Sequence, residues 1–288
     1  MSPRLRAAIR AAAVAVALTG CASLPPAPAP TNPIRFLAIN DVDTVDTLHD
    51  GSGGLARVAT MRARIASEGP TLFVLAGGAL HGGRDMVAAL NAAKLDYATL
   101  GEPGALDLPR DTLIARIAES RFKWLSANCT EADGTPFPGV LAWDTVRLAE
   151  RKIGLFGITA AGDYPAPAHC GDPAAAAHRV LDTLRAQGAD LIVALTHQPV
   201  AADRALLNRE PALDLVLGGD TDAAADELVA GRHALKADPD ARTAQFATVW
   251  GTRGQWQQAV ALLPVHAGIP PDTSVTRVVA AAGGAGSR

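Results

Sequence analysis

A regular alternation between short apolar runs and helix-spaced apolar residues constrains this fold more than any other feature of the sequence. Residues 34–39 and 71–75 are apolar runs of strand length, and between them Leu55, Val58 and Met61 recur at helical spacing. The alternation continues with predicted strands at 97–100 and 123–126 and predicted helices near 86–93 and at 110–119. Strands separated by helices indicate parallel β-α-β units, so the sequence predicts an α/β fold.

The second half of the chain repeats this pattern less regularly. Residues 140–148 and 152–158 predict a hairpin, and Asp172-Pro173 and Gly188 predict the start and end of a helix. Further strands are predicted at 191–195 and 213–217, and residues 243–250 and 255–263 predict a second, more antiparallel sheet. No second linker interrupts the chain, so residues 34–280 are predicted to form a single domain, followed by a flexible tail at 281–288.

The first residues have the pattern of a bacterial lipoprotein signal. Arg4, Arg6 and Arg10 precede an apolar run at 11–18, and small residues then lead directly into Cys21. The run is shorter than the ~20 residues that a bilayer span requires. Prolines follow closely and would stop an ordinary N-terminal helix. We therefore expect residues 1–20 to be removed and Cys21 to carry the lipid.

The expected lipid anchor also sets the expected location and partners. Residues 21–33 are rich in proline and alanine and predict a tether, and Ala22 after the cysteine favours the outer membrane, by resemblance to Gram-negative lipoproteins. Loss of three arginines with the signal changes the formal charge from -3 to -6, so we expect no nucleic-acid partner. The predicted location is the periplasm, where an unidentified partner could be met.

Two cysteines remain for the globular part. Cys129 and Cys170 would lie in an oxidising compartment, where they could form a disulfide. Two separate buried or loop thiols fit the sequence equally well, because the distance between them is not fixed by the pattern.

Polar and glycine-rich motifs follow the predicted strands. They are Asn40-Asp41-Val42-Asp43, Gly77-Gly78, Gly101-Glu102-Pro103, His197 and Gly219-Asp220-Thr221-Asp222. In open α/β folds the carboxyl ends of the strands form the ligand-binding edge. We therefore expect one cleft that contains the side chains of Asp41, Asp43, Glu102, His197, Asp220 and Asp222.

In this combination the motifs resemble the N-terminal domain of the 5'-nucleotidase family of calcineurin-like metallophosphoesterases. The resemblance covers roughly residues 34–280 and implies a four-layer αββα sandwich with a two-metal site for phosphoester hydrolysis. It also implies that Asp41 and His197 are retained metal ligands. Full-length members carry a C-terminal domain that binds the base, and we expect no such nucleotide-binding domain in this chain.

The departures from the family pattern affect the metal site directly. Asp43, Asp220 and Asp222 stand where the family has histidines, and Gly78 stands where it has the aspartate that bridges both metals. Glu102 and Pro103 replace the asparagine ligand and the histidine donor. Two cations ~3.5–4 Å apart need an anionic bridge, and loss of a transition-state donor costs on the order of 10²–10³ in rate. The leading hypothesis is therefore a lipid-anchored, non-catalytic binding or interaction module.

Two other hypotheses keep a metal ion. One is a remodelled metal-dependent phosphoesterase, and the other is a structural Ca or Mg site. Their candidate ligands are Asp41, Asp43, His197, Asp220, Asp222 and, as a further candidate, Glu102. Replacement of histidine by aspartate exchanges nitrogen for hard oxygen ligands, which favours a single Mg²⁺, Ca²⁺ or Mn²⁺ ion. Sequence drift in an abandoned site would produce the same residues without any cation.

Overall fold

The structure is a computed structural model, and it describes residues 31–80, 83–102, 104–165 and 168–285. The predicted signal peptide, Cys21 and most of the tether lie outside these residues, as does Pro103. Within the described part, no helix has the length and apolar character needed to cross a membrane.

The helices and strands alternate through most of the described chain. The α-helices are α1 (Leu55–Ser67), α2 (Gly83–Ala92), α3 (Arg110–Glu119), α4 (Pro173–Ala186), α5 (Val200–Arg209) and α6 (Thr273–Ala285). The strands of the first half are β1 (Ile34–Ile39), β2 (Thr71–Leu75), β3 (Tyr97–Thr99), β4 (Lys123–Leu125), β5 (Cys129–Glu131), β6 (Val140–Leu141) and β7 (Trp143–Leu148). The remaining strands are β8 (Arg151–Thr159), β9 (Gly162–Tyr164), β10 (Ala168–Cys170), β11 (Leu191–His197), β12 (Leu215–Gly219), β13 (Ala225–Val229), β14 (Arg232–Lys236), β15 (Thr243–Thr252) and β16 (Gln255–Pro264).

Two large sheets form the centre of the domain. The first has seven strands in the order β16-β15-β1-β2-β3-β4-β6, and the second has six in the order β13-β14-β12-β11-β8-β7. Strands β1 to β4 are parallel, as are β8, β11, β12 and β14. A small sheet of β5, β10 and β9 lies apart from them.

Apolar side chains divide the domain into four layers. Phe36, Val74, Leu155 and Leu195 belong to a buried cluster that fills the space between the two large sheets. Helices α1, α2, α3 and α6 pack on the outer face of the first sheet, and α4 and α5 pack on the outer face of the second. Each fully buried leucine or phenylalanine side chain contributes about 1.5–3 kcal/mol to folding. The α/β fold class and the predicted four-layer αββα sandwich are confirmed.

Two strand predictions are confirmed in part. The hairpin is present from Trp143 onward, and β15 and β16 are antiparallel as expected, but their placement in the sheets differs. Val140–Leu141 pairs with β4 in the first sheet, and the chain then enters the second sheet, where the hairpin consists of β7 and β8. Strands β15 and β16 extend the first sheet, because β15 pairs with β1, instead of belonging to the second. Alternation of apolar and polar residues along a strand shows which face of the sheet each side chain occupies. It does not show which sheet the strand joins.

Helix α4 follows its sequence signals, whereas the last helix was not predicted. The Asp172 carboxylate accepts a hydrogen bond from the backbone N–H of Ala174 at 2.9 Å, as expected of an N-cap. Helix α6 runs to Ala285, five residues past the predicted end of the domain. The sequence did contain its signals, which were overlooked: Val275, Val278 and Val279 recur at helical spacing, and the Asp272 carboxylate accepts a hydrogen bond from the Ser274 N–H at 2.8 Å.

A disulfide bond joins Cys129 and Cys170, so the first of the two alternatives for these residues holds. The two residues face each other on β5 and β10 and are buried. The bond closes a loop with a sequence separation of 41, and it covalently links strands β5 and β10 of the small sheet. Closing a loop of this length stabilises a fold by about 4 kcal/mol, through lost entropy of the unfolded chain.

We therefore expect reduction of this disulfide to lower the melting temperature by on the order of 10 °C. Thermal unfolding followed by circular dichroism with and without a thiol reductant measures the effect. The double variant Cys129→Ala/Cys170→Ala is the control, because its melting temperature should not respond to reductant. An unchanged wild-type melting temperature, with both thiols shown to be free, would contradict this assignment of stability.

Candidate functional site

The site lies where the carboxyl ends of the two sheets meet. The Asp41 N–H, after β1, donates to the Gly77 carbonyl oxygen, after β2, at 3.1 Å. From the second sheet, the His197 ring at the end of β11 lies 3.1 Å from the carbonyl oxygen of Ala76. The predicted convergence of the strand-end motifs is therefore present for these loops.

Asp41 and His197 form the centre of this region. Their Oδ1 and Nδ1 atoms are 3.7 Å apart, and their side chains are 14% and 3% exposed. The other Asp41 oxygen accepts hydrogen bonds from the Asn40 amide at 2.8 Å and from the Asp220 N–H at 3.0 Å. Burial raises the pKa of Asp41, although His197 and these hydrogen bonds oppose the rise.

Both ring nitrogens of His197 face backbone oxygens. Nδ1 lies 3.1 Å from the Ala76 oxygen, and Nε2 lies 2.6 Å from the carbonyl oxygen of Glu102. A histidine binds a metal through a ring nitrogen that carries no proton and points toward open space. In this structure, neither ring nitrogen of His197 has such an opening.

Four glycines enclose the pair. A Cβ atom at Gly101 would lie 2.7 Å from Cγ of His197, and one at Gly219 would lie 3.0 Å from Nδ1. A Cβ at Gly77 would overlap the same ring, and one at Gly78 would overlap the Asp41 carboxylate. The Asp41 carboxylate thus fills the space in which a longer side chain at Gly78 would begin.

The other predicted ligands are placed differently. Asp43, Glu102, Asp220 and Asp222 are exposed, and the Asp43 N–H bonds the carboxylate of Asp240 at 2.9 Å. Glu102 and Asp220 reach the central pair through their backbone atoms. Across the described ranges, no three His, Cys, Asp or Glu side chains are grouped so that they could hold a metal ion. In this arrangement the residues do not fit a two-metal centre, and metal binding by this set stays a prediction.

A buried asparagine was overlooked in the sequence. The Asn40 side chain donates to the Ala237 oxygen at 3.0 Å and accepts from the Ala237 N–H at 3.0 Å and the Gln245 amide at 2.8 Å. Gln245 also donates to the Gly218 oxygen at 2.8 Å. These bonds connect β1 and β15 of the first sheet with β12 and β14 of the second. In the sequence, an asparagine beside Asp41 in a loop motif suggests a turn. Only the tertiary structure shows that its side chain connects the two sheets.

A fully buried ion pair lies behind the end of β12. The Lys236 Nζ is 2.9 Å from the Asp203 carboxylate, and both side chains are 0% exposed. The ammonium group also donates to the carbonyl oxygens of Gln198, at 2.7 Å, and of Gly219. Burial raises the pKa of Asp203, and the charge of Lys236 opposes this. Neither residue belongs to a strand-end motif, so no local pattern pointed to the pair.

Tyr164 is a further residue of this region that the sequence did not indicate. It lies on β9, and its hydroxyl donates to the Ala160 carbonyl oxygen at 2.8 Å. Burial raises the pKa of Tyr164, and the negative charges of Glu102 and Asp220 raise it further. Ala160 in turn donates its N–H to the His197 carbonyl oxygen at 2.8 Å, which connects the phenol to the central pair through one residue.

These features define the class of fold to which the chain belongs. It has the fold of the calcineurin-like metallophosphoesterases, which confirms the resemblance inferred from the motifs. The 5'-nucleotidase precursor from Thermus thermophilus superposes with a TM-score of 0.76 at 18% identity, over 86% of this chain and 58% of that one. The chain therefore spans less than two thirds of that nucleotidase.

Two other solved structures are similar in the same way. The calcineurin-like phosphoesterase YfkN from Bacillus subtilis gives a TM-score of 0.75 at 15% identity, over 88% of this chain and 97% of that one. The sulfate thiohydrolase SoxB from Thermus thermophilus gives 0.77 at 18% identity, over 90% and 61%. No family model and no curated protein matches the sequence. At these identities the likeness establishes the fold.

The packing around Gly78 leads to a prediction. We expect Gly78→Asp, which restores the family's bridging carboxylate, to destabilise the protein by about 2–5 kcal/mol, because the new side chain overlaps Asp41 at a φ of 64°. Denaturant unfolding measures the change. Gly51→Asp is the matched control, since its φ is 80° and nothing lies within 4 Å of the new Cβ. Equal losses in both variants would show that Asp41 does not fill this space.

Proposed function

We propose that this chain is a lipid-anchored periplasmic protein that uses the metallophosphoesterase fold as a non-catalytic binding or interaction module. The observation that carries the proposal is the Asp41–His197 pair, which is enclosed by glycines at the place where the family binds its metals. The lipid anchor rests on the sequence pattern that ends at Cys21.

The geometry supports the loss of hydrolysis in two ways. A two-metal hydrolase needs a carboxylate between its cations, and Gly78 offers none. The retained histidine turns both ring nitrogens toward backbone oxygens instead of toward a cation. Either change alone removes an essential part of the reaction, and the two occur together.

A binding role is supported by what is exposed at the mouth of the site. Glu102, Asp220 and Asp222 are exposed carboxylates, and the negative charges of the first two add to the effect of burial in raising the pKa of the half-buried Tyr164. Exposed carboxylates can contact a partner that carries positive charge.

One observation favours the alternative of a single Ca²⁺ or Mg²⁺ ion. The negative charge of Asp220 acts on the buried Asp41 carboxylate and helps to raise its pKa, so a bound cation would relieve this repulsion. Such an ion would need the side chains of Asp41 and Asp220 to turn toward each other, together with other oxygen ligands.

We expect no hydrolysis of nucleoside monophosphates or bis(p-nitrophenyl) phosphate when Mn²⁺, Zn²⁺, Co²⁺ or Mg²⁺ is supplied. Release of phosphate or nitrophenol is the measurement, and His197→Ala and Asp41→Asn are the control variants. Turnover near the typical ~10 s⁻¹ that both variants abolish would show a working, remodelled site and contradict the proposal. Activity that survives both variants comes from a contaminant.

Thermal unfolding in the presence of Ca²⁺ or Mg²⁺ distinguishes the structural-cation alternative from the proposed function. A structural ion at a hundredfold excess over its Kd would stabilise the fold by about 2.7 kcal/mol. If the proposed function is correct, we expect Ca²⁺ and Mg²⁺ to leave the melting temperature unchanged. A rise that Asp220→Asn/Asp222→Asn removes would instead favour the structural cation site.

For the anchor, we expect Cys21→Ser to abolish acylation and to leave the protein unprocessed or released from the membrane. Labelled palmitate incorporation and membrane fractionation in a Gram-negative host test this expectation. Ala22→Asp is the matched control, because it keeps the lipidated cysteine and changes only the signal that favours the outer membrane. Acylation of the serine variant at the wild-type level would refute the lipoprotein assignment.

A further inference from the structure

The edge strands of the two large sheets differ in how they are protected. An open strand edge pairs with another chain unless the strand is short, charged or covered. Strand β6 has two residues, β7 carries Asp144 and Arg147, and β13 carries Asp226 and Glu227. Strand β16, in contrast, has ten residues, none of them charged, and no proline before its last position. It is the unprotected edge among the large sheets of the described chain.

Strand β16 is also regular along its whole length. It pairs with β15 through an unbroken antiparallel register from Thr243↔Pro264 to Thr252↔Gln255, so no bulge bends the edge away. On its other side, no strand of the described residues pairs with it. Its outward backbone groups are thus available for another strand.

Strands β15 and β16 are both uncharged, and the nearest charged residue on the face described here is Arg35 on β1, opposite Thr248. Register places Phe246 opposite Ala261, Thr248 opposite Ala259 and Trp250 opposite Gln257, so these side chains share one face of the sheet. The alanines and Gln257 are exposed, and the β15 residues are half-exposed. We call these six residues, with exposed Gln255, the β15–β16 surface. Exposed, uncharged aromatic and alanine surface next to an open edge is typical of a protein contact.

We propose that β16 pairs with β16 of a second copy of this chain, in antiparallel orientation about a two-fold axis. A charged partner strand would find no complementary charge along β16, whereas a second copy brings the same uncharged residues and no repulsion. With the axis at Ala259, that residue faces its own copy and Gln257 faces Ala261. The two β15–β16 surfaces then lie side by side on one face of a continuous sheet. This contact does not depend on whether the site hydrolyses a substrate.

The test is the mass of the full chain in mild detergent, measured by light scattering during size exclusion over a wide concentration range. We expect a dimer for the wild type. We expect the Kd for self-association to rise at least about tenfold in Gln257→Lys/Ala259→Lys, because like charges then face each other across the axis. Leu228→Lys, on the charged edge strand β13, is the matched control and should remain dimeric, since Leu228 is 64% exposed on another edge. Unchanged circular dichroism confirms that the variants fold.

A cross-linking experiment tests the register separately. Ala259→Cys should form an intermolecular disulfide under mild oxidation on a non-reducing gel, whereas Leu228→Cys should not. A wild-type monomer at every concentration overturns the proposal and leaves the edge to a different partner. A dimer that persists in the double lysine variant, or that is lost in Leu228→Lys, also overturns it, because the contact then lies elsewhere.

Discussion

The side chain of Asn40 holds the two sheets together at their carboxyl ends. It is fully buried, and it donates twice and accepts twice, so each of its hydrogen-bonding positions is used. Its partners lie after β1, after β14 and on β15. A buried amide with every bond made is rigid and costly to disturb, because each lost bond leaves an unsatisfied polar atom. Asn40 thus fixes the segments after β1 and β14 relative to β15.

The geometry of the Asp41–His197 pair is a consequence of that attachment. One Asn40 hydrogen bond orients the Asp41 carboxylate, and the backbone of Asp220 holds the same oxygen from the opposite sheet. The histidine is then confined between Gly77, Gly101 and Gly219, which leave no volume for larger side chains. The site is therefore a packed, hydrogen-bonded junction between the sheets, and the exposed residues Glu102 and Asp220 reach it through their backbone atoms.

Sequence reasoning located the strand-end motifs because parallel strands bring their carboxyl ends to a common edge. Asp41 and His197 do meet there, whereas Asp220 reaches them through its backbone and not through the carboxylate that the pattern predicted. The sequence could not predict that the Asp41 carboxylate and the His197 ring occupy the space beside Gly78 and Gly101. These contacts depend on how the two sheets pack against each other. Tyr164 and the Lys236–Asp203 pair were missed for the same reason, since neither has a local signal. The wrong sheet for β15 and β16 shows that periodicity leaves strand partners open.

The buried Lys236–Asp203 pair limits how this sequence can change over time. Removal of one partner leaves a lone charge in the interior and costs about 3–5 kcal/mol. Joint replacement by apolar residues would also deprive the Gln198 and Gly219 carbonyl oxygens of their hydrogen-bond donor. A loss of that size is a large share of the stability of an ordinary domain. Neither charge can therefore be exchanged alone without the loss of a large share of the folding free energy, so the fold constrains positions 203 and 236 as one unit.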